Sequence, residues 1–160
     1  MVGHDVAEAK KTSDHVIVSF HWGEERTGLP KPYQEDLARF CVDQGASLVV
    51  GPHPHVPQTV EIYRGKAIVY SVGNFAFGSS SPNSSLGLLA EAVLAKTAVE
   101  RVRLHGLDVH IPRTNFKIIP MPEEQARPLL EALVPAEGPD HRAVWNSVTG
   151  SLDVIFAVEP

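Results

Sequence analysis

The stretch that decides the fold is Val16-Ile17-Val18-Ser19-Phe20-His21-Trp22-Gly23-Glu24-Glu25, and Ser47-Leu48-Val49-Val50-Gly51-Pro52-His53-Pro54-His55 follows the same plan. Each stretch begins with a short apolar run and passes directly into histidine, glycine or proline. Such runs, rich in β-branched residues, predict buried parallel strands. Because open α/β sheets bind ligands at the carboxyl ends of their strands, the histidines predict a ligand site at one sheet edge.

The segment between the two runs predicts a helix and therefore a β-loop-α-β unit. We expect strands at 15–20 and 46–50 and a helix at 33–44, whose apolar residues recur every three to four positions. A right-handed connection of this kind places both histidine motifs on the same edge of the sheet. The helix residues expected to face inward are Leu37, Phe40 and Cys41.

Beyond the second motif the pattern changes to mostly antiparallel strands, so the fold class is α/β with a βαβ unit at its start. Residues 1–14 are polar and are expected to form a loose lead-in to a domain at 15–160. The other expected elements are a hairpin at 60–63 and 67–72, a strand at 88–96, a hairpin at 99–104 and 107–111 turning at His105-Gly106, a strand at 116–119, a helix at 122–133, a short helix at 141–148 and a strand at 151–158.

Composition excludes several classes of protein. The net charge is 14 − 19 = −5 with histidine neutral, and no run of Lys or Arg occurs, so a nucleic-acid partner is not expected. The single cysteine, Cys41, excludes an internal disulfide framework. No apolar stretch approaches the roughly 20 residues of a membrane span, and no signal-like N-terminus is present.

The motif His53-Pro54-His55 indicates metal binding. In an extended segment, residues two apart project to the same face, about 7 Å apart along the chain, so the two imidazoles could share one ion or bind two neighbouring ones. The neighbouring prolines favour extended backbone and limit the entropy lost on ordering. With His21 at the end of the adjacent strand, the three histidines are the expected ligands. His4, His15, His105, His110 and His141 have no partner at ligand spacing and are expected to be structural or exposed.

Three other residues near the motifs keep more than one interpretation. Glu25 is a ligand, a base, a group that orients a histidine, or a solvated loop charge. Trp22 either walls the site, where it would contact a ligand or a substrate, or belongs to an ordinary strand end at which His21 is structural. Asn74 follows a strand and a glycine, which is also typical of an ordinary turn.

Four motifs in order resemble the capsule synthesis protein CapA family, the poly-γ-glutamate capsule biosynthesis proteins related to calcineurin-like metallophosphatases. They are Val16–Glu25, a helix segment from Gln34 to Ala46, Gly51–Val56, and Tyr70-Ser71-Val72-Gly73-Asn74-Phe75-Ala76-Phe77. The resemblance covers roughly residues 14–78 closely. It implies the C-terminal half of a metallophosphatase-like sandwich.

The resemblance also implies a two-metal site. His21 and His53 match ligands of the second metal, and His55 matches a ligand of the first. Glu25 matches the acidic residue of a His-Trp-Gly-x-Glu motif, and Asn74 the asparagine of a Tyr-Ser-x-Gly-Asn-Phe motif. The sequence departs from the family at Arg26, where an aromatic residue is usual, and at Pro52, where a second histidine is common.

Acidic motifs that precede this region in the family have no counterpart in residues 1–14. Because a bridged metal pair needs carboxylate to offset its charge, we expect one divalent ion (Mn, Zn or Fe) in this chain. The resemblance implies a role in poly-γ-glutamate capsule biosynthesis at a bacterial cell envelope, with capsule-synthesis membrane proteins as partners. The alternatives are an active metal-dependent phosphoesterase, which would need the missing N-terminal half, and a non-catalytic metal-binding fragment. Exposed sheet edges predict a homo-oligomer.

Overall fold

The computed structural model describes residues 1–76 and 78–157. Its first part contains α1 (Val2–Thr12), β1 (Ile17–Ser19), α2 (Pro32–Asp43), β2 (Leu48–Val50), β3 (Val60–Tyr63) and β4 (Lys66–Val69). A short 3-10 helix at Pro82–Ser84 follows. The second part contains β5 (Leu86–Leu94), β6 (Val99–Asp108), α3 (Ile111–Thr114), β7 (Ile119–Pro120), α4 (Glu123–Leu133), β8 (Glu137–Gly138), β9 (His141–Asn146) and β10 (Ser151–Phe156).

The first sheet confirms the predicted βαβ unit and the hairpin after it. Its four strands lie in the order β1-β2-β4-β3. β1 pairs in parallel with β2, β2 in parallel with β4, and β3 antiparallel to β4. Arg64 and Gly65 turn the hairpin with φ values of 49° and 66°, the left-handed backbone that a tight two-residue turn requires. β1 therefore ends beside β2, at the edge that carries the histidines.

The second sheet has six strands and is antiparallel, as expected for the region after the second motif. β5, β6, β10, β9 and β8 follow one another in space, and β7 pairs with β6. The longest pairing, between β5 and β6, confirms the strand predicted near 88–96. Among the described residues, no helix is long and apolar enough to cross a membrane.

The two sheets share one apolar core. One face of the first sheet, including Leu48 and Val69, packs with Leu104 and Val154 of the second sheet and with Leu130 of α4. The opposite face of the first sheet packs against α1 and α2 in a second cluster. The order is thus helices, first sheet, second sheet, so the first sheet is covered on both faces, as parallel strands require.

Residues 1–14 are not a loose lead-in, because residues 2–12 form α1. Val6 is only 4% exposed, and Val2 and Ala9 pack against the same cluster. These positions recur at helical spacing, so they place one apolar face of α1 in the cluster that it shares with α2 and the first sheet. Gly3 lies where an added Cβ would come within 2.6 Å of the Phe40 ring.

Helix α2 confirms the prediction for 33–44 with one change on its inner face. Cys41 is buried and Leu37 packs against the second cluster, as expected. Phe40 is 45% exposed instead, because its ring lies over Gly3 of α1 at the margin of the core.

Two predictions in the second part are wrong. Residues 99–111 do not form a hairpin at His105-Gly106, since β6 runs through both residues. Gly106 serves close packing instead, because a Cβ there would lie 3.4 Å from the Cβ of Ala126 in α4. Residues 141–148 are not helical, since β9 pairs along its whole length with β10. Tertiary pairing overrides the weak local preference of this segment.

The remaining predictions are confirmed in whole or in part. The helix predicted at 122–133 is α4, with Pro128 inside it. The strand predicted at 116–119 is shorter, because Asn115 and Phe116 have positive φ after α3 and pairing begins at Ile119. The strand predicted at 151–158 is β10, which ends at Phe156; Val158 lies outside the described residues.

An ion pair on the outer face of the second sheet gives a prediction for acid stability. Burial opposes ionisation of Asp153, but Arg103, whose Nε donates to Oδ1 at 2.8 Å, outweighs it together with Asn146 and Arg101, so the pKa of Asp153 lies below its usual range. A carboxyl group with a lower pKa in the folded than in the unfolded state stabilises the fold at pH values above its unfolded pKa. This stabilisation is lost as the pH falls through the folded-state pKa. Asp153→Asn should cost about 1–3 kcal/mol at pH 7.

Urea unfolding at pH 7 and at pH 2–3 checks this expectation. The difference in the free energy of unfolding between wild type and Asp153→Asn should be smaller at the acid pH. Glu91→Gln is the matched control. It also pairs with Arg103, but its side chain is 49% exposed, so it should change stability by less than about 0.5 kcal/mol. A gap that stays constant with pH would contradict the assigned role of the Asp153 carboxylate.

Candidate metal centre

Backbone hydrogen bonds align the two histidine loops. Phe20 N donates to Val50 O at 3.0 Å, and Trp22 N donates to Pro52 O at 3.3 Å. Arg26 N then donates to Pro54 O at 2.7 Å. The loop after β1 thus continues the parallel pairing of its strand along the loop after β2. This is why residues far apart in sequence meet at one edge of the sheet.

Trp22 packs beneath the site instead of walling it. Its side chain is 6% exposed, its ring stacks on Phe20 with centroids 4.7 Å apart, and its Nε1 donates to Tyr70 O at 2.9 Å. The indole passes over Gly51, where an added Cβ would lie 2.1 Å from Nε1 and 2.3 Å from Tyr70 O. Glycine at position 51 is therefore what allows the two loops to approach each other.

Two buried glutamines hold the long loop between β1 and α2, and sequence reasoning did not identify their role. Gln58, fully buried, donates through Nε2 to Thr27 O at 2.8 Å and to Leu29 O at 3.0 Å. Gln34, also fully buried, accepts from Lys31 N at 2.9 Å. These side chains satisfy loop backbone groups that the sheet cannot reach, and so fix the path of the loop that carries Glu25.

Glu25, His53 and His55 converge on one point. One ligand atom from each lies within 4.8 Å of those of the other two. His21 lies beside this cluster, exposed, with its ring centroid 4.5 Å from that of His53. The structure thus brings two of the three predicted histidines, His53 and His55, together with the carboxylate of Glu25, while His21 contacts the ring of His53 from outside this group.

The adjacent glutamates Glu24 and Glu25 have different surroundings. The Glu24 carboxylate pairs with Lys31 Nζ at 2.5 Å, and this hydrogen bond lowers its pKa. The Glu25 carboxylate faces the histidines instead. Among the interpretations open from the sequence, the geometry favours Glu25 as a ligand, because its oxygen lies among nitrogen atoms suited to a metal.

The backbone of the second motif is not extended as the sequence suggested. His53 has φ 107° and His55 has φ 62°. Both lie in the left-handed region, which residues other than glycine adopt at a cost. The ring centroids of His53 and His55 are 6.0 Å apart. The two imidazoles therefore meet through a turn in the loop and not through the alternation of a strand.

Asn74 positions His55 through a directed pair of hydrogen bonds. Its Nδ2 donates to Ser84 O at 2.7 Å, which leaves Oδ1 as the acceptor toward His55 Nδ1, also at 2.7 Å. The proton of the imidazole thus lies on Nδ1 and its lone pair on Nε2, the atom suited to an ion. Gly87 of β5 permits this arrangement, because a Cβ there would overlap Asn74 O.

A cavity of about 200 Å³ opens beside the cluster. Its walls are Glu25, Arg26, His55, Asn74, Gly78, Ser79 and Ser84. A larger cavity of about 630 Å³ lies between α4 and β9, but its lining contains no histidine. We take the smaller cavity as the candidate site because it contains metal-binding side chains, and volume alone does not indicate chemistry.

The donor set fits a divalent transition metal. Two imidazoles and one carboxylate match the three protein ligands of many catalytic zinc sites and the facial triad of iron enzymes. The hydrogen bond from His55 to Asn74 is the support that such ligands usually have. The other five histidines are not part of this cluster; for example, His15 contacts Ala95 O and His105 approaches Glu91.

Comparison with known proteins agrees with the motifs. The family described as bacterial capsule synthesis protein PGA_cap matches residues 1–79. The PGA biosynthesis protein CapA of Bacillus subtilis is 39% identical over 105 residues, which are 66% of this chain and 28% of that protein. The capsule biosynthesis protein CapA of Bacillus anthracis is 50% identical over 68 residues, which are 42% of this chain and 16% of that protein.

A third relative extends the match further along the chain. The probable polyglutamine synthesis accessory protein of Mycobacterium tuberculosis is 31% identical over 122 residues, which are 72% of this chain and 32% of that protein. The chain thus spans a third or less of the length of each of these relatives. The resemblance read from the four motifs is confirmed: residues 1–79 match the bacterial capsule synthesis protein PGA_cap family, and CapA proteins of two Bacillus species are similar to part of the chain.

Proposed function

We propose that this chain supplies a metal-binding part of the machinery for poly-glutamate capsule synthesis. Two of its relatives are named for PGA biosynthesis and for capsule biosynthesis. The single observation that supports the metal is the convergence of Glu25, His53 and His55, with His55 oriented by Asn74. We further propose that the two-sheet arrangement is of the metallophosphatase type, with its histidines at the sheet edge.

The proposed site holds one divalent ion. Two adjacent dications repel strongly, and Glu25 is the one carboxylate in the cluster that the described residues form. The single negative charge of Glu25 offsets part of the charge of one divalent ion, but only a small part of the charge of two. Nitrogen and oxygen ligands of this kind suit zinc, iron or manganese.

Each residue has a definite task in the proposed site. His53 and His55 bind the ion as neutral imidazoles, and Glu25 reduces its charge. His21, beside His53 but outside the group of three, would either hydrogen-bond a ligand of the ion or join it as a further ligand. When bound, such an ion supplies Lewis-acid polarisation of a carbonyl or phosphoryl oxygen.

A second candidate function is hydrolysis of phosphoesters. The open cavity beside the cluster favours it, because a substrate could reach the ligand side chains there. The limited carboxylate charge argues for weak activity, since the known two-metal sites act by clamping both the attacking and the leaving oxygen.

Metal content tests the proposed ligands. Wild type, after chelation and reloading with zinc or manganese, should retain about one ion per chain, the number that a single three-ligand site holds. His55→Ala and Glu25→Ala each remove a ligand and should lose most of this metal by elemental analysis. His105→Ala, on β6, is the matched control and should retain it. Equal, negligible metal in all four proteins would remove the proposal.

Asn74→Ala tests the orientation of His55. Removing the acceptor leaves the ligands in place, so metal content at saturation should stay nearly intact. The affinity should fall by roughly 10- to 100-fold, because the imidazole is no longer held. Competition with a chromophoric chelator measures this. Asn83→Ala, an exposed asparagine of the 3-10 helix, should match wild type. An unchanged affinity in Asn74→Ala would show that the hydrogen bond does not orient His55.

Turnover of a phosphodiester distinguishes the two candidate functions. With manganese or zinc, wild type should hydrolyse the phosphodiester only slightly faster than solvent does, because the residues present would hold one ion and not a pair. His53→Ala should reduce that activity further. Robust turnover by wild type that disappears in His53→Ala would instead mean that the site is catalytically complete. The expectation of only weak phosphoesterase activity would then be wrong.

A further inference from the structure

Arg26 differs in its surroundings from most arginines of this protein. In the part of the chain that the structure describes, Arg26 and Arg142 are the two arginines with no carboxylate at ion-pair distance. The other six each have a carboxylate partner: Arg39, Arg64, Arg101, Arg103, Arg113 and Arg127. Both Arg26 and Arg142 are exposed. Arg26 therefore has a guanidinium that the fold does not use for its own ion pairs.

The position of Arg26 is fixed by its backbone. It has φ 61°, and its N donates to Pro54 O at 2.7 Å, between the two histidines of the second motif. It lines the cavity of about 200 Å³ together with Glu25 and His55. The residue is thus tied to the metal-ligand loop itself, and its long side chain begins at the wall of the cavity.

The rest of the cavity wall is polar and mostly uncharged. Among the described residues that line it, Glu25 is the one carboxylate, and the others near Arg26 are the His55 imidazole, the hydroxyl groups of Ser79 and Ser84, and Asn74, whose amide is already hydrogen-bonded to His55 and Ser84. Glu25 alone would repel an anion, and a divalent cation held by Glu25 would offset its negative charge. Arginine stays protonated at any pH relevant to the cell and presents a fork of donors that matches carboxylate and phosphate oxygens.

We propose that Arg26 binds the oxyanion group, carboxylate or phosphoryl, of the ligand that occupies this cavity. The inference rests on the proposed function, which places a metal on Glu25, His53 and His55, and it adds the chemical class of what binds beside that metal. Arg26 is then a binding residue for substrate, positioned one residue after a metal ligand so that metal and guanidinium contact the same molecule.

The test compares wild type with Arg26→Ala, Arg26→Lys and Arg142→Ala. Arg142 is the matched control, because it is also exposed and unpaired but lies on β9 and lines another cavity. Inorganic phosphate and a short glutamate peptide are titrated separately into manganese-loaded and chelator-treated protein by calorimetry. Metal content and circular dichroism are measured on the same samples.

Wild type should bind at least one of the two anions, and which one binds identifies the source of the oxyanion. Arg26→Ala should weaken that binding roughly 10-fold or more, Arg26→Lys less, and Arg142→Ala should match wild type. The proposal is overturned if neither anion binds wild type, or if Arg26→Ala and Arg142→Ala have the same affinity.

The two proposals fail in different ways. Suppose that wild type binds an anion but no metal, and that Arg26→Ala does not bind the anion. The metal proposal then fails, and the role of Arg26 stands. If metal content is intact and Arg26→Ala binds both anions as wild type does, the role of Arg26 fails and the metal proposal stands.

Discussion

The contact between the Trp22 indole and the backbone at Gly51 is the constraint on which the site depends. The indole N–H donates to Tyr70 O, in the segment after β4, while its ring crosses the residue that follows β2. One side chain thus joins three neighbouring strand ends of the first sheet. Any side chain at position 51 would overlap the indole or Tyr70 O, and the loop that carries Glu25 would move away from the histidines.

The second sheet also contributes to the site, although no metal-binding side chain comes from it. β5 carries Gly87, which admits the backbone of Asn74, and the 3-10 helix before β5 provides the carbonyl of Ser84 that fixes the Asn74 amide. Orientation of His55 therefore depends on the docking of the two sheets. A change in the shared apolar core would therefore alter the orientation of His55, since a shift of β5 moves Asn74.

Parts of the fold governed by local pattern could be predicted from the sequence. The apolar runs and the helix between them fixed the βαβ unit, and with it the meeting of the histidines. Residues 2–12 and β9 were mispredicted because their structure comes from packing against distant partners, which a local pattern does not contain. The motif pointed to Glu25, but its role stayed open among several interpretations, because the pairing of Glu24 with Lys31 across the loop is not a local pattern.

The left-handed backbone at His53 and His55 lowers the stability of the fold at the two positions that carry imidazole side chains. A residue other than glycine in this region costs about 1–3 kcal/mol. Glycine at either position would relax the backbone and delete an imidazole. Natural selection for a more stable fold and selection for a ligand therefore act on these two positions in opposite directions. A homologue that keeps both histidines in this conformation retains a cost that only a function at this loop would preserve.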